Sequence, residues 1–223
     1  MLSFSSDTFV VTLAGMPATG KSTIARLLER SFGFNWIRTR QIVQDLGADG
    51  SIESLQRHGS SLATGDGAKL FCDALFSRIL SGRCNVVDAV RPLSHWHAIR
   101  SNFGERAALI GVHASADARS AWLAARHSSL TLQARDDHDV ERDVPALLQQ
   151  AAYVLVNGDL LDYRVELMLS FLFRETLPPP ITTLRNAQTL GVELSRLRTV
   201  ASPAAHDPSG IEIATIIARL QCQ

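Results

Sequence analysis

Two glycines, a lysine and a serine stand in the spacing G-x-x-x-x-G-K-S, in the stretch Gly15-Met-Pro-Ala-Thr-Gly20-Lys21-Ser22. Each residue type suits one task in holding a polyphosphate. Glycines at both ends let the backbone close tightly, so that consecutive N–H groups can form an anion cradle. A lysine just inside a following helix reaches outer phosphates as a compact point charge, and a serine hydroxyl beside it suits a hard cation such as Mg2+. The helix opening at Lys21 adds unpaired N–H groups and the positive end of its dipole. The expected nucleotide-binding set is therefore Gly15, Met16, Pro17, Ala18, Thr19, Gly20, Lys21, Ser22 and Thr23. Lys21 is one of two lysines in a chain with twenty arginines.

The elements that must position these residues are legible on either side. Phe9-Val-Val-Thr-Leu-Ala is a continuous apolar run that reads as a buried strand, and residues 21–32 carry a helical stripe of Ile24, Leu27, Leu28 and Phe32 that Gly33 ends. A strand before and a helix after are the context in which this spacing is a P-loop. Further on, Phe34-Asn-Trp-Ile-Arg, Cys84-Asn-Val-Val-Asp88, Ala107 to Val112 and Ala152 to Asn157 read as strands. They alternate with helices expected at Thr39–Leu46, about 67–80, Leu93–Asn102, from a Ser115 cap to about Arg126, and 160–173. Residues 47–66 read mainly as loop, with a short helix near Ile52–Arg57. Strands alternating with helices predict an α/β fold of three layers, a five-stranded parallel sheet with helices on both faces and its site at the carboxyl ends of the strands.

Asp88 ends the third strand, so its side chain emerges at the edge where the loop also lies. There it can hold a metal water or take a proton from an acceptor. Ser22 and Asp88 are the expected metal residues, with Mg2+ as the cofactor and ATP as co-substrate. Ala89 follows Asp88, so the Asp–Glu pair common where water is the nucleophile is missing, and no Asn-Lys-x-Asp guanine-reading element occurs. Both absences favour transfer to a bound acceptor.

The order of these elements resembles the P-loop small-molecule kinases of the adenylate kinase and dephospho-CoA kinase type, across about residues 8–174. Val86-Val-Asp88-Ala-Val-Arg91-Pro92 is similar to their Asp-Gly-x-Arg element. Arg119, Arg126, Arg135 and the triplet Glu141-Arg142-Asp143 resemble their arginine-bearing lid, and Tyr-Val-Leu-Val-Asn157 resembles their fifth strand. The resemblance implies a lid over about 127–143, in which Arg126, Arg135 and Arg142 clamp the transferring phosphoryl group, with Lys21, Asp88 and Arg126 as the catalytic set. Guanidinium forks match phosphate oxygens in two-point contact. The chain departs from the family after its second strand, where Arg38-Thr-Arg40-Gln replaces a Gly-Asp-x-x-Arg-like element. Arg38, Arg40 and Arg91 are the residues left to meet an anionic acceptor, such as a nucleotide, a nucleoside or a related metabolite.

Composition bounds the rest. The chain has 223 residues with no net formal charge, which gives no global field for nucleic acid or an anionic membrane. Cys72, Cys84 and Cys222 show no paired spacing for zinc or disulfides. The spacing of His95 and His97 faces them in two directions on a helix, which argues against a metal pair, and Trp36, Trp96 and Trp122 read as packing groups. No signal segment or membrane-spanning run is seen, so the expected location is the cytoplasm. The expected domains are a kinase domain over 1–177 and a C-terminal extension over 178–223, where Ile213, Ile216, Ile217 and Leu220 share one face that self-association or a partner would cover. Two other functions fit the same residues: a kinase acting on a polynucleotide or a modified base, and a non-catalytic NTP-binding switch or subunit.

Overall fold

The computed structural model describes residues 7–125, 131–158 and 161–173. Arg126, part of the expected lid and the whole expected C-terminal extension lie outside them. Contacts group the described residues up to Leu161 into one compact unit and those from Asp162 into a second. In the second, helix α9 (Leu161–Leu172) buries Tyr163, Val165, Met168 and Leu169.

The first unit is built on five parallel strands: β1 (Phe9–Ala14), β2 (Asn35–Arg38), β3 (Cys84–Asp88), β4 (Ala107–His113) and β5 (Tyr153–Val156). Their spatial order is β2-β3-β1-β4-β5. A strand covered on both faces needs an uninterrupted apolar sequence, and this predicts the centre correctly. Val10, Val11, Leu13 and Ala14 of β1 are fully buried, as are Val86 and Val87 of β3 and Leu109 and Ile110 of β4. β1 pairs with β3 on one side, Leu13 opposite Asp88, and with β4 on the other, Ala14 opposite Gly111. The chain therefore reverses direction across the sheet at β1, and the crevice at its carboxyl end is where ligands of such sheets bind.

Helices cover both faces. On one, α1 (Lys21–Phe32) packs on β3 and β2 and buries Ile24, Ala25 and Leu28. On the other lies the main apolar cluster. It joins Val10, Val87 and Leu109 to helices α4 (Gly65–Phe76), α5 (Leu93–Phe103) and α8 (Val144–Gln150) through Phe71, Leu75, Ile99 and Leu147.

Two segments differ from the sequence expectation. The stretch read mainly as loop holds α3 (Ile52–Ser61), a full ten residues, and α4 begins at Gly65. The Ser51 hydroxyl caps α3 by accepting from the Ser54 amide at 3.2 Å, which fixes a start that the Gly- and Ser-rich text obscured. The segment after α6 (Ala116–Ala125) contains α7 (Leu132–Asp136) and a 3₁₀ turn at Asp139–Glu141, both too short and polar to show periodicity. Between β2 and α3, the expected helix forms as α2 (Thr39–Asp45).

Candidate active site

The loop between β1 and α1 is shaped by close approach. A Cβ at Gly15 would lie 2.3 Å from the Val112 carbonyl, and one at Gly20 would lie 2.0 Å from Asn157 Nδ2. Gly20 also has φ +90°, and Ala18, inside the loop, has φ +63°. The Thr19 hydroxyl donates back to the Met16 carbonyl at 3.0 Å, and Asn157, just beyond β5, donates to the Thr19 carbonyl at 2.9 Å. No side chain caps α1, and its first turn holds no acid. An anion would meet that helix end without competition from an acid of the turn itself.

Lys21 lies across the loop, its ammonium donating to the carbonyls of Gly15 at 2.6 Å and Met16 at 2.8 Å. It is 7 % exposed. Burial, with Arg91 and then Arg119 adding to it, brings its pKa down to about 7, against the opposing pull of Glu141 and Asp88. A buried ammonium held next to other cations is a site that wants an anion.

Asp88 faces Lys21 from the end of β3. Its Oδ2 accepts from the Ser22 hydroxyl at 3.3 Å; its Oδ1 accepts from the Thr39 amide at 2.9 Å and the Thr39 hydroxyl at 3.3 Å. The Thr39 hydroxyl also reaches the Asp88 carbonyl at 2.7 Å. The carboxylate thus sits on the first amide of α2, where the helix dipole favours it. Burial pushes its pKa up, opposed by the Thr39 amide, the Trp36 indole, the Thr39 hydroxyl and Ser22. The Trp36 N–H is buried and makes no well-aligned hydrogen bond, so its effect on Asp88 is that of a nearby dipole.

Three residues close the site from outside the expected nucleotide set. Arg119, in α6 and 8 % exposed, donates from Nε to the Pro17 carbonyl at 2.8 Å and pairs with Asp136 at the end of α7. This bond fastens the segment after α6 to the loop. Arg91 Nε lies 2.8 Å from Glu141 Oε1. Glu141 is 3 % exposed, and burial pushes its carboxyl up against the opposing Arg91 and Lys21.

Arg91 and Glu141, with Lys21, Ser22 and Asp88, line one cavity of about 320 Å³. Its polar end is Lys21, Ser22, Asp88, Arg91, Arg135 and Glu141, and its far wall is apolar, with Val43, Ile52, Leu55, Leu62, Phe71 and Val140. Arg40 lines the cavity too, tied to the Gly50 carbonyl at 2.7 Å. Two of the expected arginines are elsewhere. Arg38 lies over the Trp36 ring at 4.0 Å with half its side chain in solvent, and Arg142 has 78 % of its side chain exposed beside Asp143. His95 is a buried wall residue, its Nε2 2.8 Å from the Leu62 carbonyl and its ring stacked on Phe71. No cluster of three or more His, Cys, Asp or Glu placed to hold a metal occurs among the described residues.

The residues present fit Mg2+ of the kind that keeps waters and is shared with phosphates, since they offer one hydroxyl and one carboxylate rather than an all-protein cage. Sequence reasoning missed Glu141, Thr39 and the Arg119–Pro17 bond. Glu141 and Arg119 were grouped with a lid, but only the tertiary structure shows them turned into the site.

No protein-family model matches the chain. Solved structures with comparable backbones include a gluconokinase from Sinorhizobium meliloti, with 15 % identity and a TM-score of 0.52 over 75 % of this chain and 93 % of that one. Others are shikimate kinases. That from Acinetobacter baumannii has 13 % identity and a TM-score of 0.51 over 77 % and 96 %; that from Bacteroides thetaiotaomicron has 14 % and 0.52 over 75 % and 99 %. The fold is that of the P-loop small-molecule kinases. Among curated sequences, a UPF0200 protein of Aeropyrum pernix is 27 % identical over 172 residues, covering 73 % of this chain and 91 % of that protein. Within the P-loop kinase fold, the Gly15–Ser22 loop and Asp88 stand at the carboxyl edge where the sheet reverses. No helix among the described residues is long and apolar enough to cross a membrane.

Proposed function

We propose that the protein transfers the γ-phosphoryl group of Mg-ATP to a small-molecule acceptor bound beside the loop. The observation that carries this reading is the single cavity shared by a phosphate cradle and an apolar wall. Lys21, Ser22 and Asp88 line one end, and Val43, Ile52, Leu55, Leu62 and Phe71 the other. A switch protein needs only the first end.

In this reading the loop N–H groups and Lys21 bind the outer phosphates, and Ser22 with Asp88 holds Mg2+, which neutralises charge on the phosphates. Arg91 and Arg135 face the cavity where charge would build on the transferring group, and Arg119 keeps the loop in shape through Pro17. Phosphoryl transfer needs in-line positioning and electrostatic stabilisation more than covalent help, and this set supplies both. The acceptor would carry a compact apolar body for the wall and a hydroxyl or an anionic group for Arg40 and Arg91. A nucleoside, a nucleotide or a ring-bearing metabolite has that chemistry.

The test is label transfer from γ-labelled ATP to a pooled set of nucleosides, nucleotides, polyols and sugar acids, with chromatography of the products. Labelled product is expected with the native chain and none with Lys21→Ala, whose melting temperature should stay within a few degrees. Equal labelling by that variant would overturn the assignment.

A further inference from the structure

Two carboxylates face the cavity, and their surroundings differ. Both oxygens of Asp88 are already engaged, one by Ser22 and one by Thr39. A carboxylate so occupied can share a cation with Ser22, but it has little capacity left for a substrate proton. Glu141 has a different environment. Its Oε1 is 2.8 Å from Arg91 Nε, an ion pair whose N–H is not aimed along the contact, and its Oε2 is buried with no hydrogen-bond partner among the described residues. The side chain lines the same cavity as Lys21 and Arg91.

A buried carboxylate oxygen left without a donor carries the full desolvation penalty of its burial. The groups around it donate no hydrogen bond to Oε2: Lys21 directs its ammonium to the carbonyls of Gly15 and Met16, and the Arg91 Nε–H lies against Oε1 without aligning on it. A ligand bound in the cavity can supply that donor. The charged groups facing Glu141 are Arg91 after β3, Lys21 at the start of α1, Asp136 at the end of α7 and His138 just before the 3₁₀ turn. Arg91 and Lys21 among them mark the end of the cavity where phosphates would lie.

We propose that Glu141 is the acceptor-side base of the transfer, receiving the hydrogen of an acceptor hydroxyl on Oε2. The proposal rests on the phosphotransfer reading above and narrows it to acceptors that react through a hydroxyl. The hydroxyl oxygen forms the new O–P bond, and its proton passes to Glu141. The bond from the γ-phosphorus to the bridging oxygen breaks, and its electron pair leaves with the ADP. Burial raises the carboxyl's basicity in the free enzyme, in keeping with this task. Arg91 then serves as the positioning residue, holding Oε1 and leaving Oε2 for the acceptor.

The test compares the native chain with Glu141→Gln and Glu141→Asp, using Mg-ATP with water as the universal hydroxyl acceptor and mant-ATP for binding. Glu141→Gln should lower hydrolysis about 100-fold or more while binding mant-ATP within twofold of the native chain, which also reports that it is folded. Its pH–rate profile should lose the acid limb, and Glu141→Asp should recover part of the rate. Hydrolysis by Glu141→Gln at the native rate overturns the proposal. So does nucleotide binding tightened more than fivefold with turnover retained, since Glu141 would then be occupying the phosphate position. If the native chain binds mant-ATP but turns over neither water nor any pooled acceptor, the phosphotransfer reading fails, and the base falls with it.

Discussion

The Ser22 hydroxyl donates to Asp88 Oδ2 at 3.3 Å, joining two residues that lie 66 positions apart in the chain. The contact needs α1 to begin and β3 to end at the same height on the sheet, which the register of Leu13 opposite Asp88 provides. A hydroxyl and a carboxylate so placed are hard oxygen donors on one side of the phosphate cradle.

Asp88→Asn should separate metal use from nucleotide binding. The amide retains an oxygen for the Thr39 amide but removes the negative charge, so the fold should survive. Mant-ATP affinity measured with EDTA should match the native chain within about threefold. The gain in affinity on adding Mg2+ should disappear, and turnover should fall by about two orders of magnitude or more. An undiminished response to Mg2+ would move the metal to other residues.

Lys21 makes a prediction about protons. Its folded pKa of about 7 lies below the ordinary 10.5 of the unfolded chain. The folded state therefore binds this proton more weakly, and its contribution disfavours folding increasingly as pH drops from 10.5 to about 7, then stays level below that. A bound triphosphate favours the ammonium and raises the pKa. At pH 8 binding should take up close to one proton; at pH 6, where the ammonium is already formed, the uptake should vanish. Calorimetry of Mg-ATP binding in buffers of different ionisation enthalpy reads this directly. Proton release at pH 8 would contradict the sign.

How much of this was legible in sequence follows from how local each signal is. The loop and its two flanking elements are encoded within residues 9–32, and the glycines, the lysine and the apolar runs lie next to each other. The β3 strand with its terminal Asp88 is equally local. By contrast, α7 and the 3₁₀ turn that carries Glu141 are held by distant partners, Arg119 on Asp136 and Arg91 on Glu141. No periodicity can show in five residues or in three. The same holds for α3, whose tail Gly59-Ser-Ser61 reads as loop although Leu55 and Gly59 line the cavity. The arginines illustrate the limit most sharply. Arg135 and Arg142 are seven residues apart in similar text, yet one lines the cavity and the other is mostly in solvent.

Ala89 offers a test of the turn that aims Asp88. The Asp-Gly-x-Arg element that this turn resembles has glycine after its aspartate, and here alanine adopts φ +80°, a left-handed conformation. Its amide and that of Val90 both donate to the Leu13 carbonyl, at 3.1 and 3.0 Å, so the turn is fixed by the end of β1 whatever residue occupies it. A Cβ in that region costs roughly 1–2 kcal/mol. Replacement by glycine removes that cost but gives back part of it through a freer unfolded chain, by roughly 0.5–1 kcal/mol. Ala89→Gly should therefore stabilise the protein by about 0.5–1 kcal/mol, a rise of roughly 1–4 °C in the melting temperature for a chain of this size. Turnover should stay within twofold, because the hydrogen bonds that place Asp88 come from Thr39 and Ser22 and not from residue 89. A fall in melting temperature would mean that the alanine methyl contributes packing worth more than the backbone strain it imposes.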